Sequence, residues 1–429
     1  MIRPTPIWRS LALLTVAGVV LTACGGSSGA GTTTQPSKSS SATSSAPAAA
    51  KGDGQLVVGT LLPQTGSLAF LGPPEFAGVD LALKDINDAG GVLGKPVKKF
   101  DSDSGDTSTD TASQSVDRLL SQKVDAIVGA ASSSTTLTVI DKITGAGVLQ
   151  ISPANTSIEL IDYPDHGLYF RTAPPDLLQG RIIGDLMAAD GHSTAGILAL
   201  QDSYGTGLAK TATAAFESSG GKVVQTVIYD PKAASFATEV SKIKAADPEA
   251  IVLISFDEVF KIIPELIKQG IGPQNKKIYL VDGDLKNFGT KDFPKGTFTG
   301  TKGTTPGVQS GDAFKNRLKS INPKLTDFNY GPEAYDATTL VALAATAAKN
   351  DSGAAIASKM QEVSAGGEKC KSYKDCLALL QAGKDIDYDG VSGPIEFNSK
   401  GDPSEATIGI YQYGADNLYK FIEEKSGKV

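Results

Sequence analysis

Ala126-Ile127-Val128-Gly129-Ala130-Ala131-Ser132-Ser133-Ser134-Thr135-Thr136 is the stretch whose reading decides the fold. Four residues, 126–129, are apolar or glycine and short enough for a buried strand; a small-residue turn follows, and a hydroxyl-rich run opens a helix over 135–144. A strand that feeds straight into a helix is half of a βα unit, the crossover that parallel strands require. Working outward, the same unit recurs on both sides. Upstream are a strand at 55–62, a helix at 74–89 and a strand at 96–101, followed by a helix at 109–122. The 74–89 helix carries Phe76, Val79, Leu81, Leu83 and Ile86 and stops at Gly90-Gly91. Downstream lie strand 148–151 and an extended piece at 168–171, then Pro174-Pro175.

After those prolines the alternation restarts, with helix 177–189, strand 195–200, helix 207–218 and strand 223–229. It continues through helix 236–245, strand 250–256, helix 258–268 and strand 277–282. Regular alternation implies an α/β fold with parallel sheets covered by helices on both faces. Val124-Asp125-Ala126-Ile127-Val128 and Pro248-Glu249-Ala250-Ile251-Val252 introduce strands in the same way, which fits two copies of one architecture and a break near Pro174-Pro175. Beyond 311 the chain reads as helical at 311–318, 335–349, 354–363 and 373–381, with strands at 395–397 and 407–413. From Gln55 onward about 375 residues remain, suited to two domains.

The N-terminus carries an address. Arg3 and Arg9 precede an uncharged run, 11–21, that ends in Leu21-Thr22-Ala23-Cys24. Eleven residues at about 1.5 Å each span roughly 16 Å, well short of the roughly 30 Å hydrocarbon layer. Residues 1–23 therefore read as a signal peptide, and the last four residues of the run read as a lipobox with Cys24 the lipidated residue. Residues 24–54, rich in Ser, Thr, Gly, Ala and Pro, form no core; a flexible coil of that length spans roughly 30 Å and acts as a tether. The expected location is the outer face of the cell membrane, held there by lipid.

The 47 acidic and 40 basic residues give a net charge of −7, and no lysine or arginine cluster stands out, so nucleic acid is not an expected partner. The remaining cysteines, Cys370 and Cys376, most simply form a local disulfide outside the cytoplasm, contributing about 2 kcal/mol. The two histidines, His166 and His192, lie far from them in sequence, which leaves zinc without ligands. Enzyme motifs are absent: no GxSxG elbow, HExxH, P-loop or CxxC. Gly205-Thr206-Gly207 lacks the third glycine of a dinucleotide fingerprint, where Lys210 stands. Asp101, Asp103 and Asp106 open like a calcium loop, but Ala112 occupies the twelfth position and the segment reads as a solvated loop. No cofactor, metal or catalytic group is expected.

Polar groups gather instead where strands end, the place at which open α/β sheets hold ligands. Ser132 to Thr136 opens a helix, where free N–H groups and short hydroxyls suit a carboxylate; the same run also serves as an ordinary N-cap. A second cluster, Ser152-Pro153-Ala154-Asn155-Thr156, follows the adjoining strand and tips the balance towards a site.

Three segments together resemble one family: 58–94 (VGTLLPQTGSLAFLGPPEFAGVDLALKDINDAGGVLG), 127–156 (IVGAASSSTT, then VLQISPANT) and 195–208 (AGILALQDSYGTGL). They are similar to the leucine/isoleucine/valine-binding group of type I solute-binding proteins that serve ABC importers. The resemblance implies two Rossmann-like lobes joined by three hinge segments, with lobe 1 at 55–174 plus 305–404 and lobe 2 at 175–304 plus 405–429. It implies no enzyme activity but capture of a small amino-acid-like ligand for delivery to ABC permease subunits.

Carried over, Ser132, with Ser133 beside it, meets the ligand carboxylate, while Ala154 and Thr156 offer a carbonyl and a hydroxyl to its amino group. Tyr204 reaches across on closure, Asp282 pairs with the ammonium and Phe256 shapes the side-chain pocket. Phe70 and Tyr335 are looser matches. Phe256 and Tyr335 also read as core aromatics, and Asp282 as a turn residue. Phe256 replaces a commoner tyrosine and Asp282 a commoner glutamate, so an amide, urea or aromatic acid stands beside a branched-chain amino acid as the ligand. A ligand-sensing lipoprotein without transport is the alternative role.

Overall fold

The computed structural model describes residues 52–429; the expected signal peptide, Cys24 and the expected linker through residue 51 lie outside the described residues. The chain opens with β1 (Val57–Leu62), α1 (Gly72–Asp88), β2 (Lys98–Asp103), α2 (Thr111–Ser121), β3 (Ala126–Gly129), α3 (Ser133–Gly145), β4 (Leu149–Ser152) and β5 (Tyr169–Arg171). The five strands are all parallel, in the order β2-β1-β3-β4-β5. Their sequences explain why. In β1, Val58 and Leu62 join one hydrophobic cluster while Val57 and Leu61 join another, and β3 splits Ala126 and Val128 from Ile127 in the same way. Successive side chains point to opposite faces, and both faces are covered by helices, so the strand must be apolar throughout.

The chain then crosses to a second sheet built from α4 (Asp176–Ala189), β6 (Thr194–Leu200), α5 (Ser203–Ser218), β7 (Lys222–Tyr229), α6 (Ala237–Ala246), β8 (Ala250–Ile254), α7 (Val259–Lys268), β9 (Lys277–Leu280) and β10 (Lys302–Pro306). It crosses back for α8 (Asp312–Ile321), α9 (Gly331–Ala348), α10 (Gly353–Ser364), β11 (Glu368–Cys370), α11 (Tyr373–Gln381), β12 (Ile386–Gly390) and β13 (Gly393–Pro394). Of these, α8 and α9 pack on α1, and the buried side chains of α9, α10 and α11 share a core with it. A third crossing leads to β14 (Glu405–Tyr413) and β15 (Tyr419–Lys428). The second sheet runs β15-β14-β10-β9-β8-β6-β7. We call the units around the two large sheets the first and second lobes.

Three departures from the sequence reading have physical causes. The second sheet is not wholly parallel, because β14 pairs antiparallel with both β10 and β15. Neither β10 (KGTTP) nor β15 (YKFIEEKSGK) carries an apolar run, since one sits beside the crossing and the other is a solvated edge. Residues 395–397 form no strand: Phe397 makes a single bridge to Pro403 while Ile395 and Phe397 fill the first-lobe core. Helix α9 starts at Gly331, four residues ahead of the expected position, which matters for the site below.

Cys370 and Cys376 are joined, linking the end of β11 to α11 with Cα atoms 5.3 Å apart. The aspartates that open like a calcium loop tie down the backbone: Asp103 accepts from Gln64 N, Gly105 N and Thr65 Oγ1, and Asp106 from Ser67 N and Ser108 N. Among the described residues no cluster of metal-ligating side chains occurs, and no helix is long and apolar enough to cross a membrane.

Candidate functional site

The site begins at the carboxyl end of β3. Gly129 has φ +128°, and a Cβ there would come within 2.0 Å of the Leu61 carbonyl on β1, so glycine alone permits the turn that follows. The turn delivers Ser132 to the N-cap of α3, where its Oγ accepts from Thr135 N at 3.2 Å. Ser133 Oγ accepts from Thr156 N and Ser157 N at 3.3 and 3.2 Å, tying the start of α3 to the loop after β4. Asn155 completes the weld, donating to Ala130 O and Ala131 O at 3.0 and 2.8 Å while its Oδ1 accepts from Tyr169. The serines expected to meet a ligand hold their own loops in place, so the N-cap reading is met by Ser132.

The second lobe supplies the opposite wall. Asp202 caps α5 through Gly205 N at 2.7 Å, which sets Tyr204 in the first turn. Phe256 follows β8 and stacks on Tyr204 with ring centroids 5.5 Å apart. Asp282 follows β9 and is buried, with three side-chain donors on its carboxylate. Tyr204 Oη and Gln179 Nε2 reach Oδ1 at 2.8 Å each, and Tyr330 Oη reaches Oδ2 at 2.7 Å. Burial raises the Asp282 pKa, with those donors opposing the rise. Asp176, in the first turn of α4, is pushed well up by burial and then by the nearby Asp282, and burial lifts Asp202 to about 6. The cleft is therefore acidic on its second-lobe side and offers a helix N-terminus on the first.

Seven of the nine expected residues line one cavity: Ser132, Ser133, Ala154 and Thr156 from the first lobe, with Tyr204, Phe256 and Asp282 from the second. Leu68, Leu71 and Tyr330 close it, and its volume is about 20 Å3. The lobes touch directly beside it. Ser134 Oγ lies 2.9 Å from Ser203 Oγ, and Ser157 Oγ donates to Ser203 O at 3.1 Å. This is a closed arrangement.

Phe70 and Tyr335 stand elsewhere. The Phe70 ring lies under Lys286 Nζ, 3.7 Å from its centroid, where a first-lobe loop meets the second lobe. Tyr335 packs in the first-lobe core with its hydroxyl on Asp85 at 2.6 Å. The aromatic that does face the cavity from this region is Tyr330, the N-cap of α9, in left-handed backbone at φ +59°. Starting the helix at Gly331-Pro332, where a proline suits the first turn, would have pointed to it. Gln179 and Asp176 gave no signal, because α4 reads as an ordinary amphipathic helix. Since Tyr330 belongs to the first-lobe helix and Asp282 to the second lobe, their hydrogen bond bridges the lobes. Tyr330→Phe is expected to weaken ligand affinity about tenfold, from ~1.5 kcal/mol for a bond to a charged acceptor. Titration calorimetry checks this, and unchanged affinity would show that the bond does not favour closure.

The family model described as "Periplasmic binding protein" matches residues 55–415. The chain belongs to the periplasmic binding protein family. Among similar proteins, the chemotactic signal transduction system substrate-binding protein BasB of Halobacterium salinarum is 27% identical over 364 residues, 81% of this chain and 84% of BasB. The Leu/Ile/Val-binding protein homolog 1 of Brucella suis is 25% identical over 390 residues, 86% and 94% of the two chains. A solved structure, the solute-binding protein of an ABC transporter from R. palustris in complex with 4-hydroxybenzoate, superposes with a TM-score of 0.72 at 16% identity, covering 86% of this chain and 97% of that one. As a periplasmic binding protein of type I, the chain has the two lobes and three crossings that the resemblance implied.

Proposed function

We propose that this periplasmic binding protein captures an apolar α-amino acid between its lobes and delivers it to an ABC importer, performing no chemistry itself. Cys24 carries the lipid that holds it at the outer face of the membrane. One observation carries the ligand class: a buried carboxyl, Asp282, shares a cavity with the N-terminus of α3. An α-amino acid is a zwitterion, and it needs an anion site and a cation site close together. Free N–H groups at a helix start suit its carboxylate, and Asp282 suits its ammonium. Leu68, Leu71 and the Tyr204–Phe256 pair leave an apolar surround for the side chain. An aromatic acid, named as the ligand of the R. palustris protein, would use the helix start and the aromatic stack but bring no cation to Asp282.

The test removes one charge of the ligand at a time. Leucine is expected to raise the melting temperature, because a ligand at 1,000 times its Kd adds about 4 kcal/mol to the folded state. Isoamylamine, which lacks the carboxylate, and 4-methylpentanoate, which lacks the ammonium, are each expected to fail. A larger shift with 4-hydroxybenzoate than with any amino acid would overturn the reading. Loss of leucine uptake on deletion of this gene would separate import from sensing.

A further inference from the structure

A second cavity, of about 470 Å3, lies at the hinge, on the far side of Tyr330 from the ligand cleft. That volume is within the range of small-molecule sites, roughly 300–1,000 Å3. Its walls come from both lobes and from a crossing segment: Thr305 at the end of β10, Phe328 and Glu333 around the start of α9, and Tyr411 and Tyr419 from β14 and β15. We propose that this hinge cavity is a second ligand site, built to take a small organic ammonium ion.

Three observations support that class of ligand. Glu333 is 3% exposed, and no hydrogen bond from another described residue reaches its carboxyl oxygens. Behind it, Glu75 in the first turn of α1 is wholly buried with both carboxyl oxygens lacking a hydrogen-bond partner, and the two acids raise the Glu75 pKa through their mutual repulsion on top of burial. Glu333 therefore lines the cavity with Glu75 buried near it, and no cation among the described residues is bonded to either. Neither lysine of the cavity bonds to these carboxyls: Lys315 Nζ lies 5.8 Å from the centroid of the Phe328 ring, itself part of the wall, and Lys420 pairs with Asp416. The aromatic walls suit the same ligand. The Tyr411 and Tyr419 rings, packed edge to face at 84° with centroids 5.2 Å apart, both line the cavity, and aromatic rings of this kind attract ammonium ions.

Phenethylamine hydrochloride is the probe, with 2-phenylethanol as its neutral counterpart, titrated calorimetrically into the purified full-length chain. Phenethylammonium is expected to bind at least tenfold more tightly than the alcohol. Glu333→Gln, with its melting transition retained, is expected to weaken the amine at least tenfold. Thr326→Trp, at an exposed position in the cavity wall, is expected to abolish binding by filling the space, which keeps the test open if the glutamine variant does not fold. Asp282→Asn is expected to leave amine binding as in the wild type. Equal binding of amine and alcohol, no effect of Glu333→Gln and Thr326→Trp, or loss of the amine with Asp282→Asn would each overturn the proposal. The last outcome would place the amine in the cleft. Failure of leucine to bind would not bear on the hinge site.

Discussion

Asp282→Asn is expected to reduce amino-acid affinity by about one and a half to three and a half orders of magnitude. Truncating or neutralising one partner of a buried, hydrogen-bonded charge pair costs about 2–5 kcal/mol, much of it the penalty of leaving the other charge desolvated, and every 1.4 kcal/mol is tenfold. The substitution keeps the side-chain volume, so the lobes can still close and the loss reports the charge. Proton linkage gives an independent readout. Burial raises the Asp282 pKa above its ordinary 3.8, and an ammonium needs the ionised form. Affinity should therefore fall as pH is lowered, starting at a higher pH than for an ordinary aspartate. The Asn variant should lose that slope. The sign for the unliganded fold is opposite. A carboxyl whose pKa rises on folding stabilises the fold below its unfolded pKa, and that contribution is lost as pH rises towards the folded value. Calorimetry across pH that shows wild type and variant with the same affinity and slope would remove Asp282 from the cation site.

How much of this was legible in the sequence depends on what each segment packs against. The strands β1, β3, β6 and β8 are covered on both faces and advertise themselves as continuous apolar runs, and the helices between them follow. That Ser132, Thr156, Tyr204, Phe256 and Asp282 gather at one cavity was legible because each stands just past the end of a parallel strand or in the following first turn, where open α/β sheets place ligands. The antiparallel edge was not legible: β15 reads YKFIEEKSGK because it is a solvated edge, and charges there discourage pairing with another chain. Tyr330 was missed in favour of Tyr335 because apolar periodicity in α9 belongs to its core-facing stretch, whereas a helix's first turn is marked by capping geometry. Gln179 contributes one amide to Asp282 from an otherwise unremarked helix face. Nothing in a single sequence distinguishes that glutamine from a surface one.

Arg171→Leu should have the largest effect on stability, and its physical basis is likewise invisible in sequence. Arg171 ends β5 and is fully buried, with Nε donating to Asp402 Oδ1 at 2.6 Å and Nη1 to the carbonyls of Asn155 and Ser157 at 3.3 and 2.8 Å. Removing one partner of a buried ion pair costs about 3–5 kcal/mol, because the survivor is left charged without compensation. Urea unfolding should show a loss of that order for Arg171→Leu. The double variant Arg171→Leu with Asp402→Leu should recover part of it, since a pair replaced by apolar side chains leaves no orphan charge. The arginine also has a consequence for binding. It joins β5, which leads into the first crossing, to Asp402 in the third, and it fixes the carbonyls on either side of Thr156. The double variant should therefore regain stability without regaining affinity, because the loop that carries Thr156 loses its donors in both. Affinity restored along with stability would mean that Arg171 acts on the fold alone.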